Sequence, residues 1–222
     1  MINEIKPYLK FSFQDKKVIF ITLFVASNLI SNLLAIKVFN LGFWGLTTDC
    51  GNLLFPLGYL MADVITEVYG ERTARRVIFL GLFANILMVV ATTLTVYMPY
   101  PSYWTGQEAY AYMFGFTPRI VFAGFVAYLV GQFVNAKLMV KIKEWTNSKH
   151  LFLRTIGSTL GGELCDSCIC SSIAYYGIVP NSSILLFIAM QYVVKVTWEV
   201  VMQPLTYRSI AWARKDAGEP DV

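Results

Sequence analysis

Apolar segments of bilayer length recur along this chain, and no other feature constrains its fold as strongly. A helix crosses the hydrocarbon core of a membrane in about 20 residues. Six segments reach that length: 18–39, 51–70, 77–98, 118–140, 154–177 and 183–207. The first, third and fourth are clear. The second, fifth and sixth are interrupted by charge and read as spans from their length and apolar flanks. Of the 222 residues 56% are hydrophobic and 14% charged, and one domain of this size cannot hide that much apolar surface from water. The composition argues against a water-soluble enzyme. It also argues against a disordered chain, which needs low hydrophobicity and high charge. The expected fold class is an all-α integral membrane protein of six transmembrane helices. It forms a single domain over 1–222, with cytoplasmic tails at 1–17 and 208–222.

The basic residues sort by loop. Lys6, Lys10, Lys16 and Lys17 precede the first segment, and Arg72, Arg75 and Arg76 follow the second. Lys141, Lys143, Lys149 and Arg154 lie between the fourth and fifth, and Arg208, Arg214 and Lys215 follow the sixth. The connections 40–50, 99–117 and 178–182 hold no Lys or Arg. The positive-inside rule then places both termini in the cytoplasm. A wrong helix count would have broken this alternation. The net charge of +4 follows from topology, so no nucleic-acid partner is expected. No cleavable signal peptide is expected either, because the first apolar run is too long and no small-residue cleavage site follows it. The pattern suits a multi-pass protein of a bacterial inner membrane.

The informative residues are the ionisable ones inside the apolar segments, where a charge costs about 2.5–3.5 kcal/mol on the insertion scale. At 1.5 Å per residue, Asp63 lies about 18 Å and Glu67 about 24 Å from the outer end of the second segment. Counted likewise from the outer ends, Asp166 and Glu163 lie about 17 and 21 Å into the fifth, and Lys195 and Glu199 about 18 and 24 Å into the sixth. Three helices thus bring charge to a shared level. Asp63 and Glu67, four apart, share a helix face, as do Glu163 and Asp166, three apart. Gln191, Lys195, Glu199 and Gln203 form a ladder at intervals of four. Asn28 with Asn32 and Gln132 with Asn135 form polar pairs on the first and fourth segments. Such amides either join helices or contact a ligand. Five acids share the layer with one base, Lys195, so either some acids carry protons or a cationic or donor-rich ligand completes the site.

Other features carry less. The only histidine, His150, sits in a loop without a neighbouring nucleophile, so the chain is not read as an enzyme. Cys165, Cys168 and Cys170 point in different directions on a helix and read as core packing, and neither metal nor cofactor is expected. Gly157 and Gly161, with Ser158 and Gly162, allow a close helix approach. Pro56 and Gly58 can bend the second segment just outside Asp63. The aromatic-rich connection 97–117 reads either as an interfacial belt or as a lid over an outward cavity.

Three blocks carry a resemblance. The run Phe55-Pro56-Leu57-Gly58-Tyr59-Leu60-Met61-Ala62-Asp63-Val64-Ile65-Thr66-Glu67-Val68-Tyr69-Gly70, followed by Ala74-Arg75-Arg76, resembles the signature of the queuosine precursor transporter family, the vitamin uptake transporter group. The stretch 154–159 leading into Gly162-Glu163-Leu164-Cys165-Asp166-Ser167 is similar to its second block. Lys195-Val196-Thr197-Trp198-Glu199 with Pro204-Leu205-Thr206-Tyr207 is similar to its third. The three cysteines depart from a stretch usually filled by aliphatic or aromatic residues. The resemblance implies an importer of the 7-deazaguanine precursors 7-cyano-7-deazaguanine, 7-aminomethyl-7-deazaguanine or queuine, used to salvage transfer-RNA modification. It also implies a fold similar to the substrate-binding subunits of energy-coupling-factor transporters. The alternative is such a subunit itself, driven by separate ATPases. On this resemblance Glu67, Glu163 or Glu199 holds the guanine-like edge, Asp63 and Asp166 tune charge or carry a proton, and Lys195 pairs with an acid or donates to O6. Trp198 and Tyr59 stack, and Asn28, Asn32, Gln132 and Asn135 add directional contacts. The expected partners are the deazaguanine, the lipid bilayer and a possible second copy of the chain.

Overall fold

In a computed structural model, which describes residues 11–42, 46–146 and 151–215, the chain is built from long helices. Lys6, Lys10, Lys149, His150 and the tail residues 1–10 and 216–222 lie outside the described residues. Helix α1 (Phe13–Leu34) is followed by an antiparallel hairpin, β1 (Val38–Asn40) with β2 (Thr47–Asp49), and a 3-10 turn (Cys50–Leu53). Helices α2 (Phe55–Tyr69), α3 (Glu71–Tyr97), α4 (Gln107–Trp145), α5 (Leu151–Tyr175) and α6 (Ile184–Arg214) complete the order. Among the described residues, α1, α3, most of α4 and α6 are long and apolar enough to cross a membrane. This is an integral membrane protein of mainly helical structure.

The element bounds have local causes. Helix α1 starts earlier than its apolar run because Ser12 and Asp15 form a reciprocal cap, each side chain bonded to the other's backbone N–H. Helix α2 starts later than 51 because Pro56 sits in its first turn, where a missing N–H costs nothing. At 15 residues it is about 22 Å long, short of the roughly 30 Å hydrocarbon core. The hairpin and 3-10 turn precede it, where the sequence suggests a plain connection over 40–50 and a span starting at 51. Gly70, with φ 84°, ends α2 and lets α3 begin at the next residue. Helix α4 begins well before 118, so much of the aromatic connection is helical. The Thr95 hydroxyl bonds the Tyr110 hydroxyl at 2.7 Å, and Gln107 Nε2 donates to the Val96 carbonyl.

Packing follows the small residues. A Cβ on Gly162 would meet the Gly131 carbonyl at 2.9 Å, and one on Gly161 would run into Leu138, so α4 and α5 lie against each other through glycines. Gly81 of α3 admits the Phe24 ring of α1. One apolar cluster joins Phe20, Phe24, Leu60, Met61, Val64, Ile65 and Val77. A second joins Ile120, Ala123, Ala174, Tyr175 and Phe187. Helix C-termini are capped by cations, as the backbone dipole favours. Arg119 donates to the Ile173 and Tyr176 carbonyls, and Lys16 donates to the Trp212 carbonyl. Phe79, Phe83, Leu87 and Leu94 stay exposed along one face of α3, an apolar stripe of the kind a membrane-spanning helix presents.

Candidate functional site

Four helices and the 3-10 turn surround a cavity of about 200 Å³. Helix α2 contributes Phe55, Tyr59 and Asp63, which recur every four residues and therefore share a face. Helix α4 contributes Tyr128, Gln132 and Asn135, and α5 contributes Thr159, Glu163 and Asp166. Helix α6 contributes Lys195, Trp198, Glu199, Gln203 and Thr206. Asn52 closes one end. The glycine contact between α4 and α5 forms part of the wall, since Gly131 and Gly162 both line it.

Charge is unevenly matched inside this space. The Lys195 ammonium bonds Asp166 Oδ2, and these side chains are only 10% and 11% exposed. The same ammonium sits 4.6 Å from the centroid of the Phe55 ring, whose π face attracts cations. Phe55 in turn meets Tyr59 edge-to-face at 4.6 Å. Glu163 and Glu199 have no ion-pair partner among the described residues, and neither has Asp63. Glu163 Oε2 and Asn135 Oδ1 are both buried acceptors without a hydrogen-bond partner among the described residues. Most buried polar atoms are paired, so two unpaired acceptors on one cavity wall call for donors from a ligand or water.

The structure thus brings nine expected residues to one cavity: Tyr59, Asp63, Gln132, Asn135, Glu163, Asp166, Lys195, Trp198 and Glu199. Three others are placed elsewhere. Asn28 and Asn32 join Asn85 of α3 in an amide triad, with Asn32 Nδ2 donating to Asn85 Oδ1 and Asn85 Nδ2 to Asn28 Oδ1, both at 2.7 Å. Glu67 lies one turn beyond Asp63, where its half-exposed carboxylate pairs with Arg214. Phe55, Tyr128, Asn52, Thr159 and Thr206 line the cavity without having been expected there. Tyr128 lies one turn from Gln132, and Phe55 one turn from Tyr59, so the four-residue spacing could have found those two. Nothing in the spacing signals Asn52, which the fold brings in from the loop. Among the described residues no group of three His, Cys, Asp or Glu side chains could hold a metal.

Residues 49–209 match a family described as "Putative vitamin uptake transporter". The chain is 28% identical over 179 residues to the "Probable queuosine precursor transporter" of Bacillus subtilis (strain 168), covering 80% of this chain and 77% of that one. It is 29% identical over 132 residues to the "Queuosine precursor transporter" of Escherichia coli (strain K12), covering 60% and 57%. A relative from Haemophilus influenzae (strain ATCC 51907 / DSM 11121 / KW20 / Rd), also named "Probable queuosine precursor transporter", is 28% identical over 126 residues, covering 57% and 51%. The matches to these last two span little more than half of the relatives' length. No solved structure matches the chain.

Proposed function

The chain belongs to the vitamin uptake transporter family, and from that premise we propose that it imports 7-deazaguanine precursors of queuosine across a bacterial inner membrane. The cargo is 7-cyano-7-deazaguanine, 7-aminomethyl-7-deazaguanine or queuine, and it leaves the protein chemically unchanged. In this reading residues 1–222 form one domain of six transmembrane helices with both termini in the cytoplasm. Its arrangement is similar to the substrate-binding subunits of energy-coupling-factor transporters. Helix α2 completes its crossing through the 3-10 turn and hairpin, and α5 crosses with its acids turned to the cavity.

The observation that carries the proposal is the pair of unpartnered buried acceptors, Glu163 Oε2 and Asn135 Oδ1, on a cavity wall beside one ammonium. A deazaguanine offers the complement. Its N1–H and exocyclic amine lie on one edge, which a carboxylate accepts in a fork. Its O6 accepts a proton donor, the role given to Lys195. Its flat ring stacks on aromatics such as Tyr59 and Trp198, as bases do. Gln132 and Gln203 add directional contacts, and Asp63 with Glu199 favours the cationic aminomethyl form. Asn28 and Asn32 are assigned to holding α1 on α3, and Glu67 to the ion pair with Arg214.

The test is queuosine content of transfer RNA in a precursor-requiring strain that expresses variants of this chain. Glu163→Gln turns part of the fork into a donor and is expected to abolish rescue at limiting precursor. Normal rescue by both Glu163→Gln and Asn135→Ala, at wild-type protein level, overturns the assignment of the edge. Absence of rescue by the wild-type chain with all three precursors overturns the cargo.

A further inference from the structure

A buried acid sets the polarity of a hydrogen-bond chain that ends at the cavity. Asp49, at the end of β2, is 7% exposed, and its carboxylate is an acceptor. It takes its bond from Gln191 Nε2 of α6, which fixes which way round that amide lies. Gln191 Oε1 then accepts from Thr48 Oγ1 at 2.8 Å and from Asn52 Nδ2. Asn52 Nδ2 also donates to Thr48 Oγ1 at 2.8 Å, so both of its hydrogens are committed. Thr48, Asn52 and Gln191 are buried, so turning any one of them would leave a polar atom unpaired. The turn that carries Asn52 is itself held on α1. Ser31 Oγ donates to the Gly51 carbonyl at 2.8 Å, and a Cβ on Gly51 would meet the Ser31 carbonyl at 2.7 Å.

One atom of this chain is left over. Among the described residues no donor meets Asn52 Oδ1, and that oxygen stays open to the cavity that Asn52 lines. It stands at the opposite end from Glu163. Gln191 lies about 6 Å along α6 from Lys195, and Glu163 about 4.5 Å along α5 from Asp166. Helices α5 and α6 run antiparallel through a short connection, and the Lys195–Asp166 bond ties their levels together. The two displacements therefore point in opposite directions, and about 10 Å separates the Gln191 and Glu163 levels. A two-ring base with a hydrogen bond of about 2.9 Å at each end bridges such a span.

We propose that Asn52 is a specificity-determining residue whose Oδ1 accepts the N9–H of a deazaguanine, with Asp49 and Gln191 as the positioning residues that hold that oxygen toward the cargo. The proposal rests on the cargo reading above. With N1–H and the exocyclic amine on Glu163 and O6 at Lys195, the base directs its five-membered ring toward Asn52. The donor on that ring is N9–H, which a free base carries and its nucleoside has replaced by a sugar. The contact therefore selects the base over the nucleoside. A cargo without that hydrogen leaves Asn52 Oδ1 enclosed and unpaired, and binds about tenfold or more weaker. The buried acid has its place in this scheme as the acceptor that sets the direction of every bond after it.

The deciding experiment is equilibrium dialysis of the full chain in detergent against 7-cyano-7-deazaguanine and its 9-methyl derivative. The wild-type chain is expected to prefer the N9–H form about tenfold or more. This comparison needs no variant. Equal binding of the two overturns the proposal alone, whereas binding of neither overturns the cargo reading together with it. A methyl group also takes space, so variants separate shape from hydrogen bonding. Asn52→Ala removes the acceptor and should bring the preference to within about threefold, chiefly by weakening the N9–H form. An unchanged preference in Asn52→Ala overturns the proposal. Asp49→Asn lets the Gln191 amide reverse and should also lower the preference. Adding Gln191→Glu restores an acceptor facing Thr48 and Asn52, and the preference should return. If Asp49→Asn weakens both ligands equally and Gln191→Glu restores nothing, Asp49 is merely structural and its positioning role is overturned.

Discussion

Removing one member of the Lys195–Asp166 pair isolates a charge in a low-dielectric wall. Both side chains are about one-tenth exposed, so solvent screens little of their interaction. Breaking such a pair by deleting one partner costs about 3–5 kcal/mol, most of it from the charge left behind. The two single variants should differ. Asp166→Asn leaves an ammonium that still has the Phe55 ring at 4.6 Å and Glu163 nearby, which offset part of the loss. Lys195→Met leaves Asp166 facing Glu163 with no base between them, so it should be the worse of the two. For a chain of this size the fall in Tm is roughly 2–4 °C per kcal/mol, hence about 6–20 °C for the worse variant. The double variant Asp166→Asn/Lys195→Met removes both charges and should return to within about 1 kcal/mol of the wild type. The assay is thermal unfolding in detergent, run with the transfer-RNA rescue. Rescue should stay absent in the double variant, because the donor for O6 is gone. A double variant less stable than either single variant would refute the reasoning, since it would show that the two charges act independently.

Three further outcomes follow from the packing. Glu67→Ala removes a half-exposed ion pair with Arg214 and should change stability by no more than about 1 kcal/mol, with queuosine rescue intact; lost rescue in a folded protein would return Glu67 to the site. Gly162→Ala drives a methyl against the Gly131 carbonyl and should cost about 1–3 kcal/mol in thermal unfolding, whereas Gly124→Ala, with nothing within 4 Å, should be neutral or stabilising by up to about 1 kcal/mol. Asn85→Leu strips the partner from Asn28 and Asn32 and should cost about 1–3 kcal/mol, while precursor binding per folded molecule, measured by equilibrium dialysis, stays unchanged.

Much of the site was legible because helices convert spacing into direction. Residues four apart share a face, and charge in an apolar segment has few tolerable positions, so Asp63, Glu163, Asp166, Lys195 and Glu199 could be grouped by depth alone. Depth does not give azimuth, however. Asn28 and Asn32 sit on a polar face like Gln132 and Asn135, but the fold turns that face toward Asn85 of α3. Glu67 shares a face with Asp63, yet one helical turn carries it to the end of α2, within reach of Arg214.

The sequence alone determined the solvent, the helical class and the layer in which charge gathers, because these depend on composition, segment length and period. Only the tertiary structure decided which helix faces meet. It packed the loop between α1 and α2 against α6, paired Lys195 with Asp166, and left Glu163 Oε2 and Asn135 Oδ1 without hydrogen-bond partners among the described residues. The physical reason is that a one-dimensional pattern fixes what each helix must bury and at what depth. Pairing, and the absence of pairing, depend on contacts between segments far apart in the chain.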